Sequence, residues 1–292
     1  MAAFPEGTPC WVDAALPDTE AGARFYGELL GWTFHRGDGP RVDARSDGAL
    51  VAALAPKGDG RMPTVWSVYF ATDDAHALAA RITAAGGQVI TSPVPVGRYG
   101  TVAVAADPGG AVFGLWQAGE RAGFETRGVP GAYCWTEVYT WDKERVDPFY
   151  EEVFGFTGTD LPRGPAVPPD PDPGDTMDIR LWSPRPAAGF PDGPDGPDGP
   201  DGPDGPDAPA GAGAGAGGGN AVAGRCVLTD AFPSELPGHF LVYFCVKDCD
   251  AAAATAVRLG GRVQAPPFDI PYGRIAVLTD NQGALFAVLA ET

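Results

Sequence analysis

From Thr8 to Ala15 apolar and polar positions alternate with the period of a half-buried strand. Pro17-Asp18 interrupts the run and offers an N-cap for a helix predicted over Thr19 to Leu30, which Gly31 ends. Trp32 to Arg36 predicts another strand, and the segments Arg41 to Arg45 and Ala49 to Ala55 flank Ser46-Asp47-Gly48, a hairpin turn signal. The resulting unit is strand, helix, strand, strand, strand. It restarts at Thr64 to Thr72 with a helix over Asp74 to Ala85, closed by Gly86-Gly87, and strands at Gln88 to Thr91, Gly100 to Ala106 and Ala111 to Gln117.

The chain then writes the pattern again. CWVDAALPDTEAGARFYGELLGWTF, from Cys10, returns as CWTEVYTWDKERVDPFYEEVFGF, from Cys134, with Trp11 on Trp135, Asp13 on Glu137 and Phe25-Tyr26 on Phe149-Tyr150. Val68-Tyr69-Phe70 returns as Val242-Tyr243-Phe244, and Asp107 through Phe113 as Asp280 through Phe286. A match sustained over a half of the chain with its spacing kept signals internal duplication. The boundaries this sets are a first domain over 1–119, a linker over 120–131 and a second domain over 132–292. In the second, predicted elements are strand Ala132 to Tyr139, helix Lys143 to Val153, and strands Phe156 to Thr159, Thr176 to Ser183 and Ala221 to Thr229. Residues 184–219 carry PDGPDGPDGPDGPDGPD and then AGAGAGAGGG, with nothing to bury, and are expected to be disordered. They stand where the first domain has Ser46-Asp47-Gly48, which makes them an overgrown hairpin loop.

Length and charge narrow the function classes. At 292 residues two domains can each close a core, and a net charge of −18 argues against nucleic acid or an anionic membrane as a partner. The N-terminus has neither a charged nor an apolar leader region and no apolar run approaches a bilayer span, so a cytoplasmic location is expected. Five cysteines form no even framework and no CxxC pair, so they are expected as reduced thiols. No nucleophile elbow or phosphate loop is present.

The FY-x-x-x-x-GW and FY-x-x-x-x-GF signatures, the D-P-x-G-x-x-F turn and the paired βαβββ units resemble the vicinal oxygen chelate superfamily of glyoxalases, bleomycin resistance proteins and extradiol dioxygenases. The two-domain actinobacterial type, some members of which accompany anthracycline pathways as accessory or resistance proteins, is the most similar. The resemblance implies an α+β fold with curved mixed sheets, each enclosing a cup. It also implies where metal ligands stand in metal-dependent relatives: Trp11, Ser67 and Gly114 in the first domain, and Trp135, Leu241 and Ala287 in the second. None of the six is a usual ligand for a divalent metal. His35, His76 and His239 fall outside these positions, so no metal and no cofactor are expected.

Strand alternation then fills the cups. Trp11 brings Asp13, Ser67 brings Tyr69, and Gly114 brings Val112 and Trp116 to the same face, while the second cup collects Trp135, Glu137, Leu241, Tyr243, Leu285, Ala287 and Leu289. The opposite parity, Cys10, Val12, Trp66, Val68, Phe70, Phe113 and Leu115, is apolar enough to pack under the helices. Each cup combines aromatic walls, a tyrosine and a carboxylate, which suits a flat aromatic ligand whose hydroxyl or ammonium meets the acid. A purely structural role is the alternative: the tryptophans would fill an interface, and backbone amides or Arg98 or Arg274 would satisfy the acids.

Two functions follow as expectations. The first is metal-free binding of an aromatic, neutral or cationic natural product such as an anthracycline, for self-resistance or in support of a tailoring oxygenase. The second is a metal-free enzyme with Asp13 or Glu137 as base and Tyr69 or Tyr243 positioning the substrate, for hydroxylation, cyclisation or rearrangement of a polyketide. A metal-dependent glyoxalase or dioxygenase is a third. The protein would act as a monomer with two pseudo-equivalent domains or as a homodimer.

Overall fold

Capping sets the frame. Every helix among the described residues starts on an aspartate whose carboxylate accepts a backbone N–H of the first turn: Asp18, Asp74, Asp142 and Asp248. A computed structural model describes residues 4–37, 39–162, 164–165, 176–184 and 220–291. The first half runs β1 (Pro9–Leu16), α1 (Thr19–Leu30), β2 (Thr33–Arg36), β3 (Val42–Ser46), β4 (Ala49–Pro56), β5 (Val65–Ala71), α2 (Ala75–Ala84), β6 (Gln88–Val96), β7 (Gly100–Ala106) and β8 (Val112–Ala118). The second runs β9 (Tyr133–Thr140), α3 (Lys143–Phe154), β10 (Phe156–Asp160), the short pair β11 (Gly164–Pro165) and β12 (Thr176–Met177), β13 (Ile179–Pro184), β14 (Ala223–Val227), β15 (His239–Cys245), α4 (Cys249–Arg258), β16 (Arg262–Ile270), β17 (Gly273–Thr279) and β18 (Leu285–Ala290). Each half forms one eight-stranded mixed sheet with the same order of equivalent strands, β2-β3-β4-β1-β5-β8-β7-β6 and β10-β13-β14-β9-β15-β18-β17-β16. The architecture is α+β, as the resemblance implied.

Local chemistry explains two departures from the sequence pattern. β6 runs on to Val96 through Pro93 and Pro95, because it is an edge strand and a missing N–H on its free side costs no ladder bond. Asp178 splits the expected strand at 176–183. Its carboxylate takes Lys143 and Arg225 at 2.6 Å each, and its carbonyl accepts the Val227 N–H.

The Asp47-Gly48 loop has positive φ at both residues, 48° and 84°, the requirement of a two-residue I′ hairpin. Its counterpart joins β13 to β14, which pair directly with Trp182 opposite Ala223. The long insert therefore occupies a hairpin connection. The expected disorder of 184–219 falls, apart from Pro184, outside the described residues.

The apolar parity does not pack only under its own helices. The two sheets back onto each other through one shared core. Trp66 meets Phe244 at 4.9 Å between ring centroids, and Phe70 meets Phe154 and Phe240 at 5.1 and 5.7 Å. The duplicated motifs clamp this seam reciprocally. The Tyr26 hydroxyl donates to Asp280 across the seam at 3.0 Å, and the Tyr150 hydroxyl to Asp107 at 3.0 Å. The other oxygen of each aspartate accepts two backbone N–H groups of its own turn. The residues that carry the family signature thus join the halves, and the opposite sheet faces are left to form cups. No described helix is long and apolar enough to cross a membrane.

Candidate functional site

In the first half the ladder sets Trp11 opposite Tyr69 and Tyr69 beside Gly114. Trp11, Tyr69 and Trp116 line a cavity of about 370 Å³ together with Arg41, Asp43, Tyr99 and Arg121. Beneath the wall Asp13 is buried, accepting the Tyr69 hydroxyl at 3.1 and 3.2 Å and pairing with Arg41 at 2.7 Å. Burial pushes the Asp13 carboxyl up, while Arg41 and the tyrosine hydroxyl oppose the rise. The acid is therefore answered from inside the protein, by Arg41. Arg98 pairs with Glu120, and Arg274 with Asp250 and Asp269.

The place an ammonium would take against the aromatic wall is also filled. The Arg121 guanidinium lies 5.7 Å from the Trp11 ring and 5.1 Å from Tyr99, and grips Asp43 through two bonds of 2.9 and 2.6 Å. Ser67, Val112 and Gly114 are not among the lining residues. Val112 is exposed at the start of β8, and the Tyr69 ring covers Gly114. Strand parity could reach Trp11, Tyr69 and Trp116. It could not reach Arg41, Tyr99 or Arg121, which come from loops.

The second cup encloses about 420 Å³ and is lined by Tyr139, Phe232, Leu241, Phe268, Ile275 and Leu285, with His239 among its polar members. Of the residues expected there, Leu241 and Leu285 reach the cavity. Trp135, Glu137, Tyr243 and Ala287 form a layer behind it, with Trp135, Tyr243 and Ala287 buried in the same cluster as Leu241. The Tyr243 hydroxyl donates to Glu137 at 2.9 Å, the Trp135 indole at 3.2 Å, and the Tyr139 hydroxyl lies beside both Glu137 and Tyr243. Among the described residues no cation answers this acid. Burial drives its carboxyl above the ordinary value, against the pull of three hydrogen bonds.

Tyr139 and His239 were within reach of the alternation rule. They stand two positions beyond Glu137 and two before Leu241, on the same face.

Glu137→Gln follows as a stability prediction. A carboxyl raised in the fold contributes stability in full below its ordinary value of 4.5 and loses it as pH climbs through the folded value. Glutamine keeps the shape and removes the charge. At pH 7 the variant melts higher than the parent, by roughly 2–4 °C for each kcal/mol of charge burial relieved in a chain of this size, and the gap closes as pH is lowered toward 4.5. Thermal melts from pH 4 to 8 read this directly, and a lower melting point at pH 7 would contradict it.

The positions that the family resemblance assigns to metal ligands do not fit a divalent ion here. Trp11, Gly114, Trp135, Leu241 and Ala287 offer no donor, and Ser67 offers one neutral hydroxyl. Among the described residues no group of three or more His, Cys, Asp or Glu side chains converges to hold a metal.

Duplicated βαβββ units in two mixed sheets that share one core, with a cavity in each half, define a class. The chain belongs to the Glyoxalase/Bleomycin resistance protein/Dioxygenase superfamily, whose model matches residues 11–115. Among its relatives, the anthracycline biosynthesis protein DauV of Streptomyces sp. (strain C5) is 36% identical over 307 positions, covering 99% of this chain and 95% of that protein. The anthracycline biosynthesis protein DnrV of Streptomyces peucetius is likewise 36% identical with the same coverage. Among solved structures, the Mn(II)-bound glyoxalase from Novosphingobium aromaticivorans aligns with a TM-score of 0.60 at 16% identity over 99% of this chain and 83% of that one. That likeness concerns the fold alone.

Proposed function

We propose that this protein binds a flat aromatic polyketide of the anthracycline class without a metal ion, serving self-resistance or a tailoring oxygenase of the pathway. One observation carries the reading: the positions that relatives use for metal lack ligands, yet both cups remain open, at about 370 and 420 Å³. Cavities of this size with apolar and aromatic walls suit a small polycyclic ligand. The names of the relatives at 36% identity point to the same chemistry.

A second reading, a metal-free acid-base enzyme, draws on the Glu137–Tyr243 pair, in which a carboxyl raised by burial meets a phenol. Titration with an anthracycline and with its aglycone, followed by tryptophan fluorescence, separates the two. Saturable quenching with the compound recovered unchanged is the expected result. Conversion of the compound, lost in Asp13→Asn or Glu137→Gln, would favour the enzyme. Absence of any saturable change would remove the binding reading.

A further inference from the structure

The two cups have diverged at one pair of positions. Tyr139 and His239 face each other across β9 and β15, with ring planes 12° apart and centroids at 5.3 Å, and both line the second cavity. The equivalent pair in the first half is Ala15 opposite Val65, which can form no such wall. His239 Nδ1 lies 2.9 Å from the Pro237 carbonyl oxygen. A carbonyl only accepts, so Nδ1 carries the proton, and the neutral ring leaves Nε2 as an acceptor. Burial lowers the pKa of this imidazole and favours the neutral form. Among the described residues Nε2 has no partner.

Among the described residues no Lys, Arg, Asp or Glu lines this cavity, and Glu137 stays behind the Tyr139 layer. An ammonium entering it would lose its hydration with no carboxylate in return, which is costly. In the first cup the charges are already paired with one another, Arg121 on Asp43 and Arg41 on Asp13, which leaves no free carboxylate for a cationic ligand there.

We propose that the second cup, not the first, takes the ligand, and that it selects an uncharged polycyclic phenol whose rings lie against the Tyr139–His239 wall and whose hydroxyl donates to His239 Nε2. This rests on the binding function above and narrows its ligand to the phenolic ring system, leaving an amino sugar outside the cavity. A phenol that finds this acceptor satisfies a polar group that the bound rings would cut off from water and that an ether leaves bare.

The test uses the full chain at pH 7 with three fluorescent probes of one shape: 1-hydroxypyrene, 1-methoxypyrene and the cationic 1-pyrenemethylamine. The hydroxyl compound is expected to bind at least about tenfold more tightly than either of the others, the ratio that one buried hydrogen bond supplies. His239→Phe keeps a ring in the wall and removes the acceptor, and should bring the hydroxyl and methoxy compounds within about twofold of each other. Tyr139→Phe, which keeps the acceptor, should retain the preference and covers the case in which the first variant misfolds. Equal binding of the phenol and the ether, tighter binding of the amine, a preference that survives His239→Phe, or one lost in Tyr139→Phe would overturn the inference. If no pyrene binds while an anthracycline aglycone still does, the ligand class is wrong and the function stands. If the aglycone also fails to bind, the function itself falls.

Discussion

Replacing Gly114 by alanine is expected to destabilise the protein by about 3 kcal/mol, at the upper end of what overpacking a core costs. A β-carbon at this position would stand 2.0, 2.3 and 2.6 Å from Cδ1, Cε1 and Cγ of Tyr69. Because Cγ is fixed close to the backbone, a small swing of the ring cannot clear the clash. The ring has to leave its site, and with it goes the hydroxyl that donates to buried Asp13 at 3.1 and 3.2 Å. The second half tolerates Ala287 beside Tyr243 at the equivalent rung, so the cost belongs to the ring placement of the first cup and not to the fold type. Denaturant unfolding of Gly114→Ala checks the value. A change below about 1 kcal/mol would show that Tyr69 has another place to go.

Asp280→Ala should cost a similar amount, about 3 kcal/mol, for a different reason. The carboxylate holds the Gln282 and Ala284 N–H groups at 2.8 Å each and receives the Tyr26 hydroxyl from the other half at 3.0 Å. Removing it strands buried donors, and an unmet donor costs more than the net worth of its bond. Tyr26 itself accepts the Trp66 indole N–H at 2.9 Å, so the loss reaches into the shared core. Calorimetry of the parent should show both halves melting together. The variant should lower that single transition by roughly 6–12 °C, given 2–4 °C per kcal/mol in chains of this size. Two separate transitions in the parent would contradict a seam that couples the halves.

The fold was legible because duplication doubles every signal. The helix over 19–30 and the strand over 100–106 fall where capping and alternation put them, and the Asp47-Gly48 turn is the type its residues demand. The cups were legible only along strands. Parity placed Trp11, Tyr69 and Trp116 on the first cavity and Leu241 and Leu285 on the second. What answers the two acids was not legible. Arg41 reaches Asp13 from a loop, and Glu137 is served by the neutral groups of Tyr243 and Trp135, so equivalent carboxylates live in unlike surroundings. The sharing of one apolar core by both sheets was hidden too, because alternation tells which face is buried and not what buries it.

The most direct measurement is the aglycone titration performed before and after exhaustive chelation, with metal content assayed on the same samples. An unchanged affinity with metal far below one equivalent is the predicted result. A dissociation constant that rises tenfold or more on chelation and is restored by one equivalent of Ni, Zn, Mn or Fe would contradict the account.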